Sequence, residues 1–215
     1  MTSAHKKSML TSHEVMSILP TFPVSIANEL RPLLANADIA TYRHFLSTMY
    51  HYTRNAEEQL THARDMCADP ILHTYFDIMA KEERGHYLLA KKDYEEFGDD
   101  VTITMPPSSV KKFQAYWYGL GQDNVNEFVG AMYVFENVAA ALAREIIDMM
   151  QRLELTKKQT RWLRVHLEAD VGHGDEAMQM CAKYVMDNPS AMLRAAEYGS
   201  EEWASVFKHA FSNKS

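Results

Sequence analysis

Three stretches of the chain put histidines and carboxylates where apolar residues would be expected. In RVHLEADVGHGDEAM, His166, Asp170 and His173 stand at i, i+4 and i+7. At about 100° per residue their side chains fall within roughly 60° of one another on one helix face. That face continues through Trp162 and Leu163 before them and Ala177 and Met180 after them. Burying two imidazoles and a carboxylate on such a stripe is costly unless they are paired or bind a metal. The donor mix suits iron, zinc or manganese better than calcium. The alternative is a partly exposed polar stripe closed by an internal His–Asp hydrogen bond.

The second stretch is GAMYVFENVAAALAREI, where Glu136 is the only charge between Glu127 and Arg144. Its face consists of Val129, Met132, Tyr133, Ala139, Ala140 and Ala143. A lone carboxylate there is protonated, paired with a cation, or bound to metal. The small alanines leave room for a substrate cavity or allow close helix packing. In the third stretch a heptad-like line runs through Leu72, Phe76, Met79, Glu83, His86, Ala90 and Phe97. Glu83 and His86 fall on it at i, i+3, the spacing by which carboxylate-bridged di-iron bundles turn Glu and His inward. Glu82, at i−4 from His86, is the competing choice. Three helices that each offer inward His or carboxylate groups are explained most economically by one shared metal site.

The elements that must position these residues are helices. Glycine (8) and proline (7) are scarce among 215 residues, a balance that favours helix over strand, and the length suits a single core. Residues 1–23 read as a flexible arm ended by Pro20 and Pro23, ahead of one helical domain over 24–215. Helices are expected over about 24–35, from the Asp38 cap to about Met66, and from Asp69-Pro70 to Phe97. Others should run to the Gly119–Gly121 break, over 122–152, from Thr156 towards Met186 with a bend near Gly172 and Gly174, and from Asn188-Pro189 to about Phe211. Seven or so such helices make an all-α bundle.

The net charge of −7 without a Lys/Arg run argues against nucleic acid as a partner. No apolar run reaches the ~20 residues of a membrane span, and the polar start lacks a signal-peptide core. Two widely spaced cysteines, Cys67 and Cys181, indicate a reducing compartment, so a cytoplasmic location is expected.

The pattern Glu83-Arg-Gly-His86, then Glu136, then His166-x3-Asp170-x2-His173 resembles the heme-oxygenase-like di-iron oxidases over about 45–185. That family includes an undecene-forming fatty-acid decarboxylase, a streptozotocin-pathway N-oxygenase and a self-sacrificing p-aminobenzoate synthase. The resemblance implies a seven-helix heme-oxygenase-like bundle that holds two Fe(II)/Fe(III) ions per chain. It also implies O2 as co-substrate and oxidation of a small molecule such as an amino acid, amine or fatty acid, by N-oxygenation, desaturation or oxidative C–C cleavage. Glu136 would bridge or chelate; Glu83, His86 and His173 would complete one iron site, and His166 and Asp170 would hold the other. An external electron donor and a homodimer are compatible with this reading.

One departure stands out. The family supplies a further Glu from the preceding long helix, but here Thr48 stands near that place, and no Glu occurs between Glu29 and Glu57. Glu57, Glu58, His51 or His44 could substitute. Tyr50, Tyr52, Tyr133, Phe135 and Trp162 are candidate pocket walls, and Arg54 a candidate anchor for a substrate carboxylate. The alternatives are a self-sacrificing oxidase that consumes its own tyrosine, and a metal-free ligand-binding or thiaminase-like protein, which as a hydrolase would need a nucleophilic cysteine.

Overall fold

A computed structural model describes residues 10–212, with the side chains of 169–171 excepted. Among these residues there are ten α-helices, two single-turn 3-10 helices and no strand. Local chemistry fixes the helix starts. Thr11 and Glu14 form a reciprocal capping box for α1 (Ser12–Ile18). The N-terminus of α2 (Thr21–Asn36) follows almost at once. Asp38 accepts from the Thr41 N–H at 2.7 Å and opens α3 (Ile39–Thr53). Asp69 caps α5 (Pro70–Glu82), whose proline sits in the first turn, where its missing N–H costs nothing. Asn188 and Pro189 repeat the arrangement for α10 (Pro189–Ala210).

Two expected long helices are interrupted. The first breaks at Arg54–Asn55 into α3 and α4 (Ala56–Met66). The second breaks at 83–85, between α5 and α6 (His86–Glu95), because Gly85 takes the left-handed conformation, φ +82°. Counted as interrupted rods, these leave one more rod than expected. The addition is α1, which lies within the segment read as a flexible arm. It is packed: Val15 and Leu19 are wholly buried. Residues 1–9 of that arm lie outside the described residues.

The axis of the bundle is α8 (Asn126–Arg152), 27 residues and so about 40 Å long. It packs chiefly on α10, α9 (Arg161–Tyr184) and α2. Close approach to α10 requires Gly130, since a Cβ there would collide with the Met192 carbonyl oxygen. The remaining helix, α7 (Ser108–Gly119), lies against α10 and α4. The bend expected near Gly172 and Gly174 does not interrupt α9, which is continuous. Gly174 instead lets α9 approach Asn137 of α8, whose Oδ1 would stand 2.9 Å from an added Cβ.

The position of α9 along its axis is set from outside the helix. Asp93 of α6, fully buried, accepts from the Trp162 N–H at 2.8 Å and from Arg161 at 3.1 Å. It thereby caps the start of the helix that carries His166 and His173. Burial pushes its carboxyl up to about 6 against these two contacts.

Candidate metal centre

Six of the residues singled out in the sequence converge where α5, α6, α8 and α9 meet. Glu83 ends α5 and His86 begins α6, and the glycine turn between them brings His86 Nδ1 to 3.1 Å from Glu83 Oε1. His166 reaches in from α9 with Nε2 3.9 Å from the same oxygen. One donor atom from each of Glu83, His86 and His166 lies within 4.8 Å of the others. Ligands about 2.1 Å from a shared ion stand about 3–4 Å apart, so this spacing is close to that of a loaded site.

His173, two turns further along α9, lies between two carboxylates. Its Nε2 is 2.9 Å from Glu82 Oε2 and its Nδ1 3.3 Å from Glu136 Oε2. The helix break therefore divides the two adjacent glutamates, Glu83 serving His86 and His166 while Glu82 serves His173. The expected grouping placed His173 with Glu83 and His86; its side-chain contacts run to Glu82 and Glu136. Asp170 falls among the side chains outside the described residues.

Electrostatics follow from the burial. The Glu83 carboxyl is pushed up by desolvation, but contact with His86 and the nearby His166 and His173 outweigh this and hold it below the usual range. Glu136 is raised by burial and by the charges of Glu83 and Glu82, with His173 opposing. His173 is raised to about 9 by its bond to Glu136, against burial and with help from Glu82. His166 is lowered by burial. Its Nδ1 donates to the Trp162 carbonyl at 2.8 Å, which leaves the Nε2 lone pair facing Glu83. That is the second contact by which metal-binding imidazoles are usually oriented.

The substitutes proposed for the absent first-helix carboxylate do not join the cluster. His51 Nε2 contacts Thr104 Oγ1 at 2.8 Å. Glu57 pairs with Arg84 at 2.8 Å, and Glu58 is exposed and lies by Tyr118. His44 stacks edgewise on His209. Thr48 is buried with its hydroxyl donated to the His44 carbonyl.

A cavity of about 140 Å³ opens beside the cluster, with Glu83, Glu136 and His166 in its wall. Of the candidate wall residues, Tyr52, Phe135 and Trp162 line it, while Tyr50 and Tyr133 do not. Tyr50 is turned into contact with His51 and Tyr87. Tyr133 is buried elsewhere on α8 and lies near Cys181. Arg54 is exposed over the Tyr50 ring, which removes it as an anchor in this cavity. The sequence reading missed Gln59, a lone amide on the buried face of α4 beside Leu60 and Ala63. That placement was the available signal. Neither cysteine lines the cavity; burial raises the Cys67 thiol to about 11 and the Cys181 thiol to about 12.

The model of the iron-containing redox enzymes matches residues 43–202, well over half of the chain. The chain belongs to this family. No curated protein shows significant sequence similarity to it. Among solved structures, it resembles a domain of unknown function with a heme oxygenase-like fold from Shewanella denitrificans OS217. The identity is 20%, the TM-score 0.80, and coverage is 94% of this chain and 93% of that one. It also resembles a TenA homologue from P. horikoshii OT3 at 12% identity and TM-score 0.75, covering 92% and 98%. A CADD-like protein of unknown function from Nostoc punctiforme PCC 73102 follows at 17% identity and TM-score 0.61, covering 94% and 97%. The all-α bundle is thus heme-oxygenase-like. The residues of this iron-containing redox enzyme also fit an iron ion on chemical grounds. His86 Nδ1 is buried without a hydrogen bond of good geometry, Nε2 of His166 is unprotonated, and both face a carboxylate held ionised. Among the described residues, no helix is long and apolar enough to cross a membrane.

Proposed function

We propose that the chain is a non-heme, di-iron, O2-dependent oxidase or oxygenase acting on a small, hydrocarbon-rich molecule. The observation that carries this reading is the junction of the Glu83–His86–His166 cluster with an apolar cavity whose wall includes Glu83, Glu136 and His166. In this reading Glu83, His86 and His166 hold one ion. Glu136 and His173 hold the second, with Asp170 and Glu82 as its nearest candidates in sequence and space. Iron bound there supplies redox reactivity towards O2 and, through it, towards an unreactive C–H, C–C or N–H bond.

The chain's own residues prepare for this. The Trp162 carbonyl fixes the tautomer and the ring plane of His166. His173, protonated between Glu136 and Glu82 in the metal-free protein, supplies positive charge to the largely buried Glu136 carboxylate and to the exposed one of Glu82. To hold a metal ion it would have to give up that proton. Phe45, Trp162 and Phe207 help to keep the cavity apolar and exclude water. An external electron donor supplies whatever reducing equivalents the substrate does not. A cysteine-dependent hydrolase reading lacks its nucleophile, because both thiols are buried, raised and away from the cavity.

Anaerobic Fe(II) reconstitution with metal counting tests the proposal. About two ions per chain are expected, with O2 consumption that is lost in His173→Ala and Glu136→Ala. A stoichiometry near zero overturns it, and a firm value near one overturns the di-iron part. Intact mass after exposure to Fe(II) and O2 should stay unchanged apart from reversible metal, and a permanent mass shift would favour self-oxidation of a tyrosine.

A further inference from the structure

Two pairs of sequence neighbours face each other across α8 and α9. Glu136 and His173 make one pair, with Glu136 Oε2 3.3 Å from His173 Nδ1. The residues that follow them, Asn137 and Gly174, make the other. Gly174 is buried, and its carbonyl lies 3.5 Å from Asn137 Nδ2, whose shorter bond goes to the Tyr133 carbonyl at 2.8 Å. A Cβ at position 174 would stand 2.9 Å from Oδ1, 3.3 Å from Cγ and 3.4 Å from Nδ2 of the same Asn137 amide. Carbon ordinarily keeps about 3.3 Å or more from such an oxygen. Either α9 would therefore retreat by roughly 0.4 Å, or the amide would leave the Tyr133 carbonyl. Gly172, on the other side of His173, is exposed, and an added Cβ there meets nothing within 4 Å. Of the two glycines that flank His173, one is fitted to α8 and the other is not.

We propose that Asn137 and Gly174 are positioning residues, whose contact locks α9 against α8 at the separation and register that set His173 beside Glu136. The size of the displacement decides that this matters. Metal–ligand distances tolerate only about 0.2 Å, so a retreat of roughly 0.4 Å one residue from His173 spoils an ion held by His173 and Glu136 together. Successive residues on a helix point about 100° apart, so Asn137 and Gly174 act through their neighbours and not on the ion itself. His166 stands seven residues back, about 10 Å along α9. It is held separately, through the Trp162 carbonyl and the Asp93 cap, so its group with Glu83 and His86 is spared. The inference rests on the iron-oxidase reading only where a second ion is counted.

The test compares Gly174→Ala with Gly172→Ala in the full-length protein, each alone and in the Asn137→Ala background. In the chelator-treated protein the low-field imidazole N–H resonance of His173, assigned by its absence in His173→Gln, reports the contact with Glu136 without metal. Gly174→Ala should shift or lose that signal, and Gly172→Ala should keep it. Anaerobic Fe(II) titration of Gly174→Ala should show the second ion weakened at least about tenfold and the first by less than about threefold. Gly172→Ala should bind both ions as the wild type does. It should also melt roughly 2–4 °C higher, since it gains helix propensity and meets no neighbour. In the Asn137→Ala background the collision is gone, so Gly174→Ala should cost less than about threefold there. An unmoved resonance in Gly174→Ala, an equal loss in Gly172→Ala, or an undiminished penalty in the Asn137→Ala background would each overturn the proposal. A wild type that takes up no second ion would sink the iron reading instead, because the resonance is read without metal.

Discussion

A carboxylate largely enclosed by histidines and one half open to solvent carry different burdens, and substitution should reveal it. Glu83 is partly buried, its side chain 16% exposed, with a carboxylate oxygen within reach of His86 and His166. Glu57 is part-exposed and pairs with Arg84. Glu83→Gln keeps the shape and removes the charge. Losing an outer partner of a metal ligand costs about 10–100-fold in affinity, so Fe(II) binding should weaken by roughly 100-fold or more, read by anaerobic titration. Glu57→Gln should leave iron content unchanged and alter stability by less than about 0.5 kcal/mol, as exposed pairs do. Equal iron loss in both variants would remove Glu83 from the site. Much at this scale was legible in the sequence, because periodicity alone set Glu83, His86, Glu136, His166 and His173 on apolar faces. The grouping was not legible. Spacing within one helix says nothing of how far a second helix slides along it, and that slide sends His166 to Glu83 and His173 to Glu136 and Glu82.

At the scale of elements, the centre depends on one break and one cap. The heptad line through Glu83 and His86 looks unbroken in sequence, since an isolated glycine is tolerated within a helix. Gly85 nevertheless adopts φ +82°, and the chain turns there. The nearest atom to an added Cβ is Leu88 Cδ1 at 3.9 Å, so space is no obstacle and the backbone conformation is the whole cost. Gly85→Ala should therefore lose about 1–2 kcal/mol in urea unfolding, with weaker Fe(II) binding, and Gly85→Asn should lose less. An unchanged stability in Gly85→Ala would show that the turn is not strained. The cap is Asp93. Its folded-state pKa, about 6 against an ordinary 3.8, means that the folded protein holds a proton the unfolded chain has released between those values. Its contribution is thus most favourable below about pH 4 and is lost as pH rises through about 6, by up to ~3 kcal/mol. Asp93→Asn should flatten that part of the stability–pH curve. The difference between wild type and variant, followed by urea unfolding from pH 4 to 7, should move against the wild type as pH rises, and a difference constant with pH would refute the assignment. The sequence showed Asp93 only as one charge in a run of charges, because its role comes from contact with a helix start 69 residues away.

For the whole molecule, the bundle leaves space beside its most polar cluster, and that space works against stability. The wall draws on helices from both ends of the chain, including Leu30 and Leu34 of α2, outside the 43–202 segment that matches the family, and Phe211 just beyond α10. Composition and helix order indicated a bundle, but they could not show a void, which is a property of how all the helices meet. An empty apolar cavity forgoes contacts that a filled core would make, and proteins commonly tolerate such a loss where function needs the room. Ala139 lies one turn beyond Glu136 on α8 and lines the cavity. Ala139→Leu adds apolar volume with a good helix former, so the empty protein should gain up to about 1–2 kcal/mol in chemical denaturation. The cluster residues are untouched, so Fe(II) stoichiometry should match the wild type. Substrate-dependent O2 consumption should fall, because the added side chain takes the ligand's room. Should the variant instead be destabilised while O2 consumption persists, the void beside Glu136 would not be the ligand's place, and the link between cavity and metal centre would fail.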